Sequence, residues 1–320
     1  MSIKKLYGFL LSLFLILFIL AEIRGQADIS MVTHWYNRAG YNPAFIARTD
    51  YAYFFTNVRQ QWFGVEGAPR VFNIQASEYI HNLRSAFGLS LISDRIGAAH
   101  VMNPMLTYAF RFGNEENWSL ALGLSGGIYY RSVNGSLYEA EVINDPSVNY
   151  NTEKITRPDA NAGIEFQSKW FIIGLSSTHL FSISKQADTY LNSNHRYGYL
   201  IYKNNNLESF YYRIGLQVVN RNNLTVYEGN VFVRMKHATG LMKGPREILD
   251  FGLTVRSTRQ MSFMIGILVT PNLRLGYAYD HSFIKGYSRN GTHEIMLEFR
   301  LLNRAASTRF QCGIAKPWYQ

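Results

Sequence analysis

The chain has few reactive or cross-linking groups. Its single cysteine, Cys312, cannot form an internal disulfide, which excludes a disulfide scaffold. Charged residues make up 17% of the chain, below the ~25% of an ordinary soluble domain, and 47% are hydrophobic. A disordered chain and a coiled coil are excluded on that composition. Beyond the N-terminal region no run of ~18 apolar residues occurs, so no second transmembrane helix is expected. The eight histidines show no metal-ligand spacing, no phosphate-cradling loop occurs, and no cofactor is expected. Gly123-Leu124-Ser125-Gly126-Gly127 fits G-x-S-x-G, but Ser125 sits in an alternating segment without the helix a nucleophile elbow needs. His293-Glu294 opens like a zincin motif, yet Leu297 stands where the second histidine belongs. The chain therefore reads as non-enzymatic.

Aromatic residues are abundant: 22 Tyr and 21 Phe, within an aromatic share of 15%. The formal net charge is +10. Lys4 and Lys5 precede an apolar run from Phe9 to Ala21, followed by the small residues Gly25 and Ala27. A basic n-region before an apolar h-region has the form of a secretory signal peptide, cleaved after Gly25 or Ala27. The alternative is an uncleaved anchor helix, but Phe9–Leu20 is short for a ~20-residue span. No cysteine lies nearby to carry a lipid anchor. Removing residues 1–25 takes away Lys4, Lys5, Arg24 and Glu22, a net +2, and leaves the mature chain at +8. An exported chain has no use for that charge on nucleic acid, so no nucleic-acid partner is expected.

The mature chain repeats segments of about ten residues in which apolar and polar or small residues alternate. Leu120, Leu122, Leu124, Ile128 and Tyr130 alternate with Ser119, Ala121, Gly123, Ser125 and Gly127. Leu273, Leu275, Tyr277 and Tyr279 alternate with Arg274, Gly276, Ala278 and Asp280. Successive strand side chains point to opposite faces, so each segment has one apolar face. Length alone suggests two domains, yet single barrels of roughly 200–250 residues are routine. A soluble β-sandwich would turn the apolar face inward, and a membrane barrel outward. Strand lengths near ~9–11 residues, an opposing face rich in Gly, Ser, Arg and Glu, and aromatics such as Trp118 and Trp170 at strand ends favour the barrel. Bare backbone cannot face hydrocarbon, so the sheet must close.

The expected fold is thus an all-β, transmembrane outer-membrane antiparallel β-barrel of about fourteen strands, with twelve as the alternative count. The segments run near 50–62, 69–78, 84–93, 101–112, 118–131, 159–168, 169–178, 196–203, 209–219, 224–236, 248–257, 260–269, 272–280 and 292–301, with 196–203 the weakest. The organisation is then 1–25 signal peptide, 26–49 a periplasmic or luminal segment, 50–301 barrel, and 302–320 a periplasmic tail. An even count puts both termini in the periplasm. The long connections 132–158 and 179–195 then fall outside, while 237–247 is long for a periplasmic turn. The tail carries Arg304, Arg309 and Lys316 without an acidic residue, plus Phe310, Trp318 and Tyr319. It reads equally as a frayed end or as a handle for a periplasmic partner. On the polar faces, Arg213, Arg234, Arg256, Arg274 and Arg300 accompany Glu165, Glu228, Asp250, Asp280, Glu294 and Glu298. Mixed signs favour ion pairs that stiffen the lumen over an ion-selective pore.

Several motifs occur in order along the chain. Arg59-Gln60-Gln61-Trp62, then Gly64, then Gly67-Ala68-Pro69-Arg70, is followed by Asp94-Arg95-Ile96-Gly97. Thr270-Pro271-Asn272-Leu273-Arg274 and Thr292-His293-Glu294-Ile295-Met296-Leu297 complete the series, with Asn42-Pro43-Ala44 ahead of it. Together they resemble the PorP/SprF family over roughly residues 28–301. The resemblance implies an outer-membrane barrel of Bacteroidetes-type bacteria, set in lipid and lipopolysaccharide and belonging to the type IX secretion and gliding machinery. It implies association with periplasmic ring proteins and a peptidoglycan-binding lipoprotein, and in some members secretion or anchoring of a large surface adhesin. The tail departs from the pattern, since members are expected to end soon after the last strand. The hallmark 59–70 bridges the first two strands, where Gly64 and Gly67 permit left-handed backbone and Pro69 fixes its own torsion. It reads first as a packed rim turn and second as a docking or gating loop. The alternative from another functional class is an outer-membrane pore for small solutes.

Overall fold

In a computed structural model, the described residues are 31–48, 51–114, 118–137, 150–183, 194–204, 209–221, 224–239, 243–284 and 291–302. Among them, fourteen antiparallel strands form one closed ring. They are β1 (Tyr51–Gln60), β2 (Arg70–Ile80), β3 (Ser85–Ile96), β4 (Ala99–Asn114), β5 (Trp118–Asn134), β6 (Thr152–Ser168) and β7 (Phe171–Thr178). The second half is β8 (His195–Asn204), β9 (Phe210–Arg221), β10 (Leu224–Thr239), β11 (Lys243–Arg256), β12 (Gln260–Thr270), β13 (Leu273–Ser282) and β14 (Thr292–Leu302). Each strand pairs with its sequence neighbours, and β1 pairs with β14 from Tyr51↔Leu302 to Gln60↔His293, which seals the ring.

The alternation points outward. Leu89, Leu106, Leu124, Leu175 and Ile295 are each 60–66% exposed on the outer wall. Their alternating partners are buried inside, including Arg59, Arg234, Arg256, Arg274, Glu165 and Glu294. A shell of exposed Leu and Ile around buried Arg and Glu inverts a soluble core and is the expected arrangement when hydrocarbon is the outer solvent. Aromatic rings gather at one end of the wall. Trp118 stacks near Phe166, Trp170 lies against Tyr202, and Phe110 meets Phe112, as amphipathic rings do at a headgroup layer.

The barrel has two unlike mouths. One carries the connections 135–151 and 179–194 and is called the long-loop mouth. The other carries the short connections 115–117, 169–170 and 271–272, the start of β1 and the end of β14, and is called the short-turn mouth. Two expected loop lengths need correction. The span 237–247 is mostly strand, because β10 and β11 continue to Thr239 and from Lys243. Register shifts after Met235 and His237 break the alternation there, which hides those strands in the sequence. Likewise β6 starts at Thr152 rather than 159, with Glu153, Lys154, Thr156 and Arg157 all exposed. Where a strand runs past the hydrocarbon layer neither face needs to be apolar, and this extension carries no period-two pattern.

Candidate functional site

Residues 31–48 of the chain lie inside the lumen. This stretch has no strand alternation and folds as two short 3-10 segments, Thr33–Trp35 and Pro43–Arg48. All of Pro43–Arg48 is buried. Within the ring it acts as a plug, held by carboxylates from four strands. Glu294 of β14 accepts the backbone N–H groups of Val32 (2.9 Å) and Thr33 (3.1 Å). On β10, Glu228 accepts the Trp35 indole N–H and lies 2.8 Å from His34 Nε2. The Tyr36 hydroxyl donates to Asp250 of β11 at 2.9 Å. Glu165 of β6 pairs with Arg38 (3.0 Å) and Arg48 (2.9 Å) and also receives the Tyr199 hydroxyl.

The plug seats where the wall lacks side chains. A Cβ on Gly123 would overlap the Ala44 backbone, and one on Gly163 would overlap the Asn42 amide. That close approach lets Asn42 donate to Ile164 O (3.2 Å) and to the Tyr199 hydroxyl (2.7 Å). Met31 and Thr33 lie beside Asn57 in the half of β1 nearer the long-loop mouth. Arg48 reaches Ser119 at the other end, one residue from the start of β5. The plug therefore runs down the lumen and enters β1 at the short-turn mouth.

The carboxylates are braced by wall arginines. Arg59 bridges Asp280 (2.9 Å) and Glu294 (3.2 Å). Arg256 joins Glu228 to Asp280, and Arg234 and Arg274 share Asp250. Breaking such a buried pair by removing one partner leaves an uncompensated charge and costs about 3–5 kcal/mol.

Two motif residues singled out in the sequence, Arg59 and Glu294, thus meet across the β1–β14 seam and hold the start of the plug. Arg274, buried, belongs to the Asp250 cluster. The others lie apart from the plug. Gln61 N donates to Pro69 O (2.9 Å), which closes the hallmark turn. Gly64 and Gly67 take φ of 87° and 69°, while Trp62 takes 44° without being glycine. Gly97 N donates to Gly67 O at 2.9 Å, stitching the hallmark turn to the β3–β4 turn. Gln60 accepts from exposed Arg70. Asp94 is buried on the lumen side of β3. Pro271 and Asn272 form an exposed turn at the short-turn mouth, where Thr270 Oγ1 accepts from Leu273 N (3.1 Å). His293 points out of the barrel to the Tyr277 hydroxyl (2.6 Å), opposite to Glu294. The tail residues Arg304, Arg309, Phe310 and Trp318 lie outside the described residues.

Sequence reasoning singled out none of His34, Trp35, Tyr36, Arg38 or Arg48. The available signal was a stretch with cations and aromatics but no alternation, set directly before the first strand.

A closed, outward-apolar strand ring with a charged interior defines an outer-membrane β-barrel. The model for the type IX secretion system membrane protein family PorP/SprF matches residues 23–299, and the chain belongs to that family. Solved barrels resemble it at low identity. The Ralstonia pickettii toluene transporter TbuX is 8% identical, with a TM-score of 0.49 over 81% of this chain and 92% of that one. The Acinetobacter baumannii outer membrane protein Omp33 is 9% identical, with a TM-score of 0.44 over 79% and 99%. No curated protein matches the chain.

Proposed function

We propose that this protein is a non-enzymatic scaffold of the type IX secretion apparatus, which uses its barrel as an anchor and its mouths as docking surfaces. The short-turn mouth faces the periplasm and the long-loop mouth faces the medium. Ring proteins and a peptidoglycan-binding lipoprotein dock on the periplasmic side, and a surface adhesin is secreted or retained with the barrel's help. The observation that carries this reading is the plug. A lumen occupied by residues 31–48 and fixed to four strands by buried carboxylates suits an anchor better than an open solute pore. Family membership supplies the machinery to which the anchor belongs.

The test is deletion of the gene, together with any paralogue, followed by assay of secreted cargo and of spreading on agar. Loss of either supports the reading, and normal levels of both defeat it. Co-purification from detergent-solubilised outer membrane identifies the docked proteins.

A further inference from the structure

At the short-turn mouth two cations face each other, and neither pairs with a carboxylate among the described residues. Lys203, the penultimate residue of β8, stands directly opposite Arg213 of β9 in the ladder register. Like charges directly opposite on neighbouring strands repel. Both side chains point into the lumen, since Tyr202 and Tyr212 on either side take the outer wall. Lys203 is 5% exposed and makes no ion pair with any carboxylate among the described residues. Arg213 rests its guanidinium on the Phe232 ring, 4.4 Å from the centroid, and likewise pairs with no carboxylate there. The charges around Lys203 are Arg48, Arg213 and Arg38, together with Glu165, which Arg38 and Arg48 already share. Elsewhere in this lumen the arginines Arg59, Arg234, Arg256, Arg274 and Arg300 are matched to carboxylates. A buried ammonium without a counterion is costly, and an incoming anion relieves that cost.

We propose that Lys203 and Arg213 form an anion-receiving site in the short-turn mouth that takes a side-chain carboxylate from an acidic segment of a partner protein. Charge complementarity selects that partner. Residues 303–320, which follow Leu302 in the sequence, carry Arg304, Arg309 and Lys316 and no acidic residue, so they offer no side-chain carboxylate. Lipid phosphate is the wrong source, because the two side chains face the lumen and not the bilayer. The site deepens the scaffold reading and rests on it only for the compartment the partner comes from.

The test uses the full mature protein, purified in detergent, and a fluorescein-labelled hexaglutamate peptide followed by anisotropy at low salt. The expected result is saturable binding that weakens about tenfold in Lys203→Gln and in Arg213→Gln, as loss of one charge-assisted contact predicts. Without peptide, Lys203→Gln should melt no lower than the parent, since it removes a repulsion. Equal binding by parent and both variants overturns the proposal. So does binding that is lost only when Arg304, Arg309 and Lys316 are changed to Gln. Inorganic phosphate that displaces the peptide at equal concentration would mark a small-anion site and overturn the peptide assignment. Glu208 lies outside the described residues. If Glu208→Gln lowers the melting temperature and Lys203→Gln lowers it equally, Lys203 is paired within the chain and the proposal fails. Because the assay needs no secretion, its outcome is independent of the gene-deletion test.

Discussion

A single arginine shows how this barrel uses charge. Arg59 is 1% exposed and divides its guanidinium between Asp280 and Glu294, and Glu294 in turn holds the backbone of Val32 and Thr33. Arg59→Ala removes the cation but leaves Glu294 buried. We predict a loss of about 3–5 kcal/mol, read by denaturant unfolding in detergent; a loss within experimental error would mean the pair is not buried in solution. On the opposite face of the wall, Leu124 is 62% exposed on β5. In lipid vesicles Leu124→Arg should cost about 2–4 kcal/mol, because the guanidinium must enter hydrocarbon. On a water-facing wall the same change would be near neutral, so the measurement tests the orientation of every strand at once.

At the scale of elements, the strands and the plug differ in how far the sequence reveals them. Fourteen strands were legible because lipid outside and polar lumen inside impose a period of two on each. Even β8, the weakest of them in sequence, forms from His195 to Asn204. The pattern fails where that two-sided constraint lapses, as at the start of β6 and around the register shifts of β10 and β11. It fails completely for the plug, whose residues meet several strands through 3-10 turns and so show no periodicity. The lumen carboxylates Glu165, Glu228 and Asp250 were visible as inward charges, but their partners Arg38, Trp35 and Tyr36 lie more than a hundred residues away and only the fold joins them. Gly123 gives a handle on this element. Gly123→Val places side-chain atoms where Ala44 lies and should loosen the plug while leaving the outer wall intact. The expected readout is new proteolytic cleavage within residues 31–48, with the heat-modifiable gel mobility of the folded barrel retained.

For the molecule as a whole, conductance tests the proposed anchor against a channel. The parent protein should give no steady conductance in planar bilayers. Deletion of residues 31–48 should open a stable pore, with current that falls when the missing segment is supplied as a peptide. A parent that conducts as well as the deletion variant would favour the small-solute pore.

The plug is covalently continuous with β1, and its first residues are gripped by Glu294 on β14, the strand that meets β1 to seal the ring. Those two strands are the most distant in the sequence, so their zipper closes late. Once it has closed, eighteen residues with buried arginines could enter only by passing through the bore. Docking of the segment on β6, β10 and β11 while the sheet is still an open crescent would avoid that passage. On that route, sequestering the segment ahead of β1 is a step of assembly in the membrane, and a factor that inserts this protein handles a cargo whose seam shuts after its contents are in place.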